Sequence, residues 1–406
     1  MFINREDYVD TIRPFYEVDV IKVITGIRRS GKSIVLQEIR DELIKNGIDG
    51  NQIIFINLED FEYEFIKTAK DLHKEIKDRI INDKKYYIFI DEVQSVKNFE
   101  KVLASLRATT KSSIFVTGSN STLLSGELAS LLTGRTVEFE IMPFSFSEVK
   151  EYFRVNNKNF TEDFIFDYIK WGGFPLRFDF QREQDIRRYL TSLYEGIIKK
   201  DIVGKSSRFD KKTFTDISLY ILANAGKEFS SENVINYYKT HNKKTITRQT
   251  IYNYLEKMQK AYLVHGVKKY NIVGKEALKA NEKYYATDMG FRIINTNSVN
   301  FEDTFFLENV IYNELISRGY TVYAGKTYKG EIDFVAIKDG KKCFIQVCYL
   351  LASQETISRE FGAFKPISDA SPKYVMSLDK VDMSRDGIGH INIVEFLLKR
   401  KDFALT

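Results

Sequence analysis

Residues 20–33 read VIKVITGIRRSGKS, an apolar run that ends in the octet GIRRSGKS. The glycines of the octet let the backbone turn tightly, so that successive N–H groups and the start of the next helix face one anion. Lys32 adds a mobile cation, and Ser33 supplies a hydroxyl that can bind Mg²⁺. The octet therefore predicts a phosphate loop (P-loop), a segment that binds the phosphates of a nucleotide.

The sequence around the octet favours this interpretation over a glycine-rich turn with an incidental lysine. A strand-like run precedes the octet, and apolar residues recur at helical spacing after it. The chain thus has the strand, loop and helix that a phosphate loop requires. The predicted nucleotide contacts are Gly26, Arg29, Ser30, Gly31, Lys32, Ser33 and Ile34.

An acidic pair ends the third apolar run. Residues 53–57, IIFIN, predict a second strand, and residues 86–90, YYIFI, predict a third strand that ends in Asp91 and Glu92. Downstream of a phosphate loop, the first carboxylate can reach Mg²⁺ and the second can orient or deprotonate the attacking water. Alone, such a pair is also an ordinary polar end of a buried strand. Together with the octet, it predicts nucleotide hydrolysis.

Polar residues also follow the fourth predicted strand, residues 113–117. Ser119 and Asn120 are candidates for contacts with the γ-phosphate or its water, because polar side chains at the carboxyl end of an adjacent parallel strand lie near the acidic pair. The alternative is that residues 119–121 only cap a helix.

Arg135 precedes a fifth strand-like run, residues 137–141. An arginine here is a candidate for stabilising transition-state charge, either on its own nucleotide or across a subunit boundary. A solvated or salt-bridged arginine is the alternative. Strands alternate with helices over roughly the first 145 residues, which predicts a parallel, doubly wound sheet.

The composition bounds the class of protein. The chain has 406 residues, 43% hydrophobic and 29% charged, as expected for a globular protein of two or three domains. The net charge of +5 permits nucleic-acid contact without arguing for it. No apolar run is long enough for a membrane span, and the first segment is unlike a signal peptide, so a cytoplasmic location without a membrane partner is expected. Cys343 and Cys348 indicate neither a zinc site nor a disulfide framework.

The order of elements resembles that of AAA-type ATPases of the AAA+ superfamily. More specifically, it resembles a prokaryotic family that joins such a domain to a C-terminal domain of unknown function. The segments that carry the resemblance are ITGIRRSGKS, IIFINLED, IFIDEVQ, TGSNS, LLTGR, MPFSFSE and WGGFP. The resemblance implies an ATPase core over residues 1–143 and a helical lid over residues 144–210. It places WGGFP in the lid, although a tight packed turn without chemistry is the simpler interpretation of that segment.

Residues 211–290 are interpreted as a winged-helix domain. Residues 213–269 read as helix, helix, helix and strand, and residues 245–250 open the third helix. Lys243, Lys244 and Arg248 are candidates for contacts with DNA phosphates. Many winged helices bind only proteins, however, and two lysines are a common solvated helix end.

Residues 291–406 resemble the restriction-endonuclease fold. Active members of that fold bind Mg²⁺ through acidic or amide residues on two strands and place a lysine two residues later. Asp333 and Gln346 match the first part, and Glu308 on the preceding helix completes the possible degenerate site, but Cys348 stands at the lysine position. A thiol cannot supply the positive charge of an ammonium, so the resemblance implies a degenerate nuclease-like domain. Lys341 and Lys342, in the preceding turn, are the alternative source of a cation.

The sequence thus predicts an α/β protein with a P-loop NTPase sheet and helical lid, followed by a winged helix and an α/β restriction-endonuclease-like domain. We expect it to bind ATP and Mg²⁺ and to hydrolyse ATP, with the nucleotide state setting the arrangement of the C-terminal domains. The alternatives are a nucleotide-regulated DNA-binding protein and an ATP-gated nuclease. Candidate partners besides ATP are DNA, a protein client and a second copy of the chain.

Overall fold

The computed structural model describes residues 3–120, 131–203, 209–242, 245–277, 283–294 and 304–403. The chain divides into two compact units. The first unit comprises Phe2–Met142 together with Lys260–Tyr262, and the second unit comprises 143–259 and 263–406.

The described strands of the first unit form one parallel sheet. They are β1 (Ile21–Thr25), β2 (Ile53–Asn57), β3 (Tyr86–Asp91), β4 (Ser112–Thr117) and β5 (Thr136–Glu140). Their order is β2-β3-β4-β1-β5, so β4 lies between β1 and β3. Side chains of β1 and β3 are buried along the whole strand, as in a sheet covered on both faces. The predicted parallel sheet is therefore confirmed.

Helices cover both faces of this sheet. They are α1 (Glu6–Ile12), α2 (Lys32–Lys45), α3 (Ala69–Arg79) and α4 (Phe99–Thr109), with 3₁₀ turns at Arg13–Phe15, Gly50–Gln52, Phe61–Tyr63 and Val93–Ser95. One apolar cluster contains α1 and α2 side chains with Phe89 and Phe115, and the other contains α3 and α4 side chains with Ile88 and Ile90. Successive residues of β3 thus point to opposite cores, which is the alternation that a doubly wound sheet requires.

The second unit begins with helices. Its first elements are α5 (Phe146–Val155), α6 (Phe164–Trp171), a 3₁₀ turn (Pro175–Asp179), α7 (Glu183–Ile197), a π-helical turn (Ile198–Val203), α8 (Lys211–Ala223), α9 (Ser231–Asn242), α10 (Arg248–Lys260), β6 (Val264–Val267) and β9 (Lys283–Ala286). The predicted order of three helices and a strand within residues 213–269 is confirmed, and β6 pairs with β9 in an antiparallel ladder. The winged-helix interpretation itself stays a prediction.

A mixed sheet dominates the C-terminal part of the second unit. The elements are β7 (Lys269–Asn271), β8 (Glu276–Ala277), α11 (Gly290–Ile293), α12 (Thr304–Ser317), β10 (Thr321–Lys326), β11 (Glu331–Lys338), β12 (Lys341–Val347), α13 (Gln354–Gly362), β13 (Lys373–Ser377), β14 (Gly389–Asn392) and α14 (Ile393–Leu397). The described strands follow the order β14-β13-β12-β11-β10-β7-β8, antiparallel from β10 to β12 and parallel from β12 to β14. The predicted helix with Glu308 and the strands with Asp333 and Gln346 are present.

One apolar cluster joins α5 and α6 to β9, α12 and the central strands of the mixed sheet. This cluster contains residues from both sides of the predicted domain boundaries at 210 and 290, which stay predictions. Among the described helices, none has the length and apolar character that crossing a bilayer requires.

The WGGFP turn is packed without spare room. A Cβ on Gly172, whose φ is +75°, would lie 1.8 Å from Asp288 Oδ1, and a Cβ on Gly173 would lie 2.1 Å from the carbonyl oxygen of Phe144. The Gly173 N–H donates to Asp288 Oδ2 at 2.6 Å. The turn thus needs glycine at both positions because backbone and a buried carboxylate fill the space.

Replacement of Gly173 by alanine is expected to destabilise the second unit by about 2 kcal/mol, because the new methyl group has to displace the Phe144 backbone. Chemical denaturation measures this change. Gly196→Ala is the matched control, since Gly196 lies in α7 with nothing within 4 Å of the position that a Cβ would take, and the helix gains from alanine there. Equal stability of the two variants would contradict the packing argument.

Candidate nucleotide site

The phosphate loop, residues 26–33, lies between β1 and α2 and depends on glycine at two positions. Gly26 has φ +129° and Gly31 has φ +103°, values that side chains rarely permit. A Cβ on Gly26 would lie 2.3 Å from the carbonyl oxygen of Ile141. Arg29 also has positive φ, at 69°, and Ser30 is buried. The loop therefore leads directly into the N-terminus of α2, the end of a helix that attracts anions.

Lys32 lies inside this loop and is only 4% exposed. Its Nζ donates to the carbonyl oxygens of Gly26, at 3.0 Å, and Ile27, at 3.1 Å. The ammonium is thus held by the backbone at the start of α2, beside Ser33 and Ile34. A phosphate bound there would compete with these two carbonyls for the lysine.

A second buried cation, Arg5, supports the loop from outside. Arg5 is 1% exposed, and its guanidinium donates to the carbonyl oxygens of Ser30, at 2.7 Å, and Met142, at 3.0 Å. Its backbone N–H donates to Glu38 Oε2 at 2.9 Å. The sequence alone does not identify Arg5 as a site residue, because a single arginine in the first segment belongs to no motif.

Asp91 ends β3 and is 3% exposed. Thr117, the last residue of β4, donates its hydroxyl hydrogen to Asp91 Oδ1 and accepts from the Glu92 N–H at 2.9 Å. The strand that follows Asp91 in the chain therefore lies beside it and fixes its carboxylate, as the parallel pairing of β3 and β4 requires. Thr117 was not among the predicted site residues, because only the residues that follow this strand were considered.

Glu92 follows with a left-handed backbone, φ +55°. Such a conformation is costly for a residue with a side chain and is often retained at functional sites. Burial raises the pKa of the Glu92 carboxyl, while the positive charges of Lys32 and Arg28 oppose that rise. Gln94 donates a hydrogen bond to Glu92 Oε2. Glu92 is therefore a half-buried carboxyl with a pKa above that of an ordinary glutamate.

Ser119 lies between the loop and the acidic pair. Its hydroxyl accepts from Arg28 at 3.4 Å and from the Gln94 side chain at 3.5 Å. Arg28 also lies 3.6 Å from Glu59, which follows β2. Residues that follow β2, β3 and β4 thus contact Arg28 of the phosphate loop or one another, and the predicted contact of Ser119 with a phosphate stays a prediction.

Asn120 is the last described residue of this segment, and it is half-buried. Its predicted contact with the γ-phosphate stays a prediction. The alternative of a helix cap at residues 119–121 depends on residues from 121 onward, which lie outside the described part of the chain.

Arg135 and the phosphate loop lie at opposite ends of β1. Its carbonyl oxygen accepts from the Ile21 N–H at 2.9 Å, next to the register pair Ile21 and Thr136. Because β1 and β5 are parallel, Arg135 lies at the amino end of β1, whereas Gly26 follows the carboxyl end. A strand of this length spans about 16 Å. A role on its own nucleotide is therefore disfavoured, and a role across a subunit boundary stays a prediction.

The C-terminal candidates lie together in the second unit. Asp333 Oδ2 accepts from the Val347 N–H at 2.7 Å, and Gln346 Oε1 accepts from the Asp333 N–H at 3.4 Å. Burial raises the pKa of Asp333 to about 6. Burial, together with the Asp333 charge, raises the pKa of the Glu308 carboxyl. Glu308 and Asp333 are therefore buried close enough for their charges to interact, and the half-buried Gln346 contacts Asp333; a nuclease role for the three stays a prediction.

Lys283, on β9, supplies a cation to this cluster. Its Nζ lies 3.9 Å from Glu308 Oε2 and 3.6 Å from Glu331 Oε2. Cys348 is buried, and burial raises the pKa of its thiol, so it remains neutral. Lys342 pairs with Asp369 at 2.5 Å. Among the described residues, no three His, Cys, Asp or Glu side chains are grouped to bind a metal ion.

The predicted nucleic-acid contacts are only partly within the described residues. Arg248 is the first residue of α10 and is exposed. Lys243 and Lys244 lie outside the described part of the chain. Contact of the three residues with DNA stays a prediction.

Two family models match successive parts of the chain. A family model described as an AAA domain matches residues 19–150, and one described as a domain of unknown function matches residues 162–298. An uncharacterised protein of Haemophilus influenzae is 34% identical over 404 residues, covering 98% of this chain and 99% of the relative. An uncharacterised protein of Methanocaldococcus jannaschii is 31% identical over 377 residues, covering 89% of this chain and 81% of the relative.

Solved structures show a more distant likeness. The Walker-type ATPase of Pyrococcus abyssi aligns with a TM-score of 0.49 and 17% identity, covering 72% of this chain and 95% of that chain. The AAA-domain match over residues 19–150 supports the predicted AAA-type ATPase domain.

Arg5→Ala is expected to weaken ATP binding about tenfold and to lower the free energy of unfolding of the first unit by about 2 kcal/mol, because the Ser30 and Met142 carbonyls lose a charged donor. Titration with a fluorescent ATP analogue and chemical denaturation measure the two effects. Arg40→Ala is the control, since Arg40 lies on α2 and pairs with Asp41 at its surface. If both variants bind ATP alike, Arg5 does not support the loop.

Proposed function

The chain belongs to a prokaryotic family of P-loop proteins with an AAA domain, and we propose that it binds ATP with Mg²⁺ and hydrolyses it to ADP and phosphate. One observation carries this proposal: Lys32 in the phosphate loop and the Asp91–Glu92 pair lie at the carboxyl ends of β1 and β3, on either side of β4. This arrangement brings a cation and two carboxylates to the same end of the sheet, close enough for the Lys32 charge to act on the Glu92 carboxyl, and phosphoryl transfer uses such a set.

Binding would begin with an exchange of partners at Lys32. Its ammonium leaves the carbonyls of Gly26 and Ile27 for the terminal phosphates, while the loop N–H groups and the N-terminus of α2 hold the remaining charge. Arg5 keeps the Ser30 peptide in place through this exchange. The lysine therefore serves as a charge that is already desolvated and close to its target.

The residues present fit Mg²⁺. The Asp91 carboxylate is fixed by Thr117, and the Ser33 hydroxyl lies at the start of α2, so both supply the oxygen donors that Mg²⁺ prefers. These two residues would hold the ion together with phosphate oxygens of ATP. When bound, Mg²⁺ neutralises charge on the phosphates.

Glu92 is proposed as the group that orients and deprotonates the attacking water. Its raised pKa brings it closer to neutral pH than an ordinary glutamate, which favours proton acceptance. Gln94 and Ser119 hold the carboxylate and its surroundings in place. The proton of the water passes to a Glu92 oxygen as the oxygen of that water bonds to the γ-phosphorus and the bond to ADP breaks.

The finer architecture is also part of the proposal. The order of α8, α9, α10, β6 and β9 supports a winged helix, for which DNA is the candidate partner. The run from α12 through β10, β11, β12, α13 and β13 supports a nuclease-like fold, whose buried Lys283 pairs with acidic side chains. We propose that ATP hydrolysis sets the conformation of these parts.

Lys32→Ala is expected to abolish ATP turnover and to weaken ATP binding, because the loop loses its mobile cation. Glu92→Gln is expected to retain ATP binding and to lower kcat by about 100-fold or more, since the amide cannot accept a proton. A coupled assay for ADP release and a binding titration measure the two quantities. Lys45→Ala, at the far end of α2, is the control. Unchanged turnover in both variants would refute the proposed function.

The kcat of the wild-type protein is expected to fall as the pH decreases through the pKa of Glu92. Because burial raises this pKa above the ordinary 4.5, the fall begins at a higher pH than for an exposed glutamate. The ionised form accepts the proton, so activity is lost on the acid side. Rates at saturating ATP, together with analogue affinity at each pH, separate chemistry from binding. The residual rate of Glu92→Gln should lack this acid limb.

A further inference from the structure

A short segment of the chain belongs to the nucleotide-binding unit although the residues on both sides of it do not. Lys260–Tyr262 is part of the first unit, whereas residues up to 259 and from 263 belong to the second. The chain therefore enters the first unit at the end of α10 and leaves it just before β6. Any displacement of this segment acts directly on those two elements through covalent bonds.

Tyr262 is held in this segment with an unfavourable backbone. Its φ is +54°, and the Leu263 N–H donates to the Met258 carbonyl at 2.9 Å, which is the ending of a helix that usually has glycine at the left-handed position. Tyr262 is nevertheless only 5% exposed. A tyrosine at a glycine-type position indicates that its side chain makes contacts that offset the strain.

The hydroxyl of Tyr262 makes such a contact. It donates to Glu138 Oε1, on β5, at 2.7 Å. The hydroxyl of Thr25, the last residue of β1, donates to the same oxygen at 2.7 Å. One carboxylate oxygen thus joins Tyr262 to the residue that immediately precedes Gly26 of the phosphate loop.

The same stretch of backbone carries the partner exchange of Lys32. The carbonyls of Gly26 and Ile27 accept from Lys32, and the Thr25 carbonyl accepts from the Ile141 N–H at 2.9 Å. If the ammonium moved to a phosphate, the Gly26 carbonyl would lose a charged donor. This carbonyl is one residue from Thr25, whose hydroxyl shares Glu138 Oε1 with Tyr262.

We propose that Tyr262 is a positioning residue that transmits the nucleotide state of the phosphate loop, through Glu138 and Thr25, to the end of α10 and the start of β6. This inference rests on the proposed ATP binding. According to this proposal, one tyrosine hydroxyl connects the ATP site to two parts of the second unit. These are α10, which begins with Arg248, and the β6–β9 pair.

Hydrogen–deuterium exchange of the full chain with and without Mg²⁺ and a non-hydrolysable ATP analogue tests the link. In the wild type, the analogue should slow exchange in residues 26–36 and change exchange in residues 248–267. Tyr262→Phe should keep the effect on residues 26–36 and lose the effect on residues 248–267. Loss of one hydrogen bond to a carboxylate corresponds to a change of about tenfold in the local opening equilibrium.

Two further variants sharpen this experiment. Glu138→Ala removes the shared acceptor at an exposed position of β5 and should reproduce the Tyr262→Phe result. Tyr194→Phe is the matched control, because it removes a buried tyrosine hydroxyl that pairs with Ser218 in the second unit, and it should behave as the wild type.

The outcomes separate this inference from the proposed function. If the analogue protects residues 26–36 but residues 248–267 respond equally in the wild type and in Tyr262→Phe, or in neither, the link through Tyr262 is wrong while ATP binding stands. If residues 26–36 show no protection in the wild type, ATP binding and the inference fail together.

Discussion

The first unit depends on the absence of a side chain at Gly26. The Ile141 carbonyl oxygen occupies the space where a Cβ would lie, 2.3 Å away, and the Gly26 carbonyl in turn accepts from Lys32. Gly26 therefore determines the exit of the chain from β1, its exit from β5 and the position of the Lys32 ammonium. Any larger residue would push the loop away from β5 and carry the lysine with it.

Local spacing explains why much of this unit could be predicted from the sequence. The octet, the apolar runs and the Asp91–Glu92 pair each lie within a few residues, so hydrophobic periodicity and turn residues suffice to identify them. The position of β4 beside β3 is consistent with the same reasoning, because consecutive strands of a parallel sheet are usually neighbours. The placement of β4 between β1 and β3, in contrast, depends on how all five strands pair, so no single segment of the sequence predicts it.

Contacts between residues far apart in the chain could not be predicted. Arg5 is 137 residues from Met142, and Tyr262 is 124 residues from Glu138. Single residues of this kind have no periodicity, and their partners become neighbours only after folding. Lys283 is similar: the sequence shows a thiol at the lysine position and offers Lys341 and Lys342 as alternative cations, whereas the structure brings Lys283 from β9 and pairs Lys342 with Asp369.

The register of β5 on β1 has a kinetic consequence. Arg135 lies at the amino end of β1, about 16 Å along the strand from the loop that follows its carboxyl end. Were this arginine to stabilise transition-state charge, the nucleotide it served would belong to another molecule. Turnover per chain would then rise with protein concentration and level off once assembly was complete. Dilution of the protein would therefore lower the rate of ATP turnover per chain.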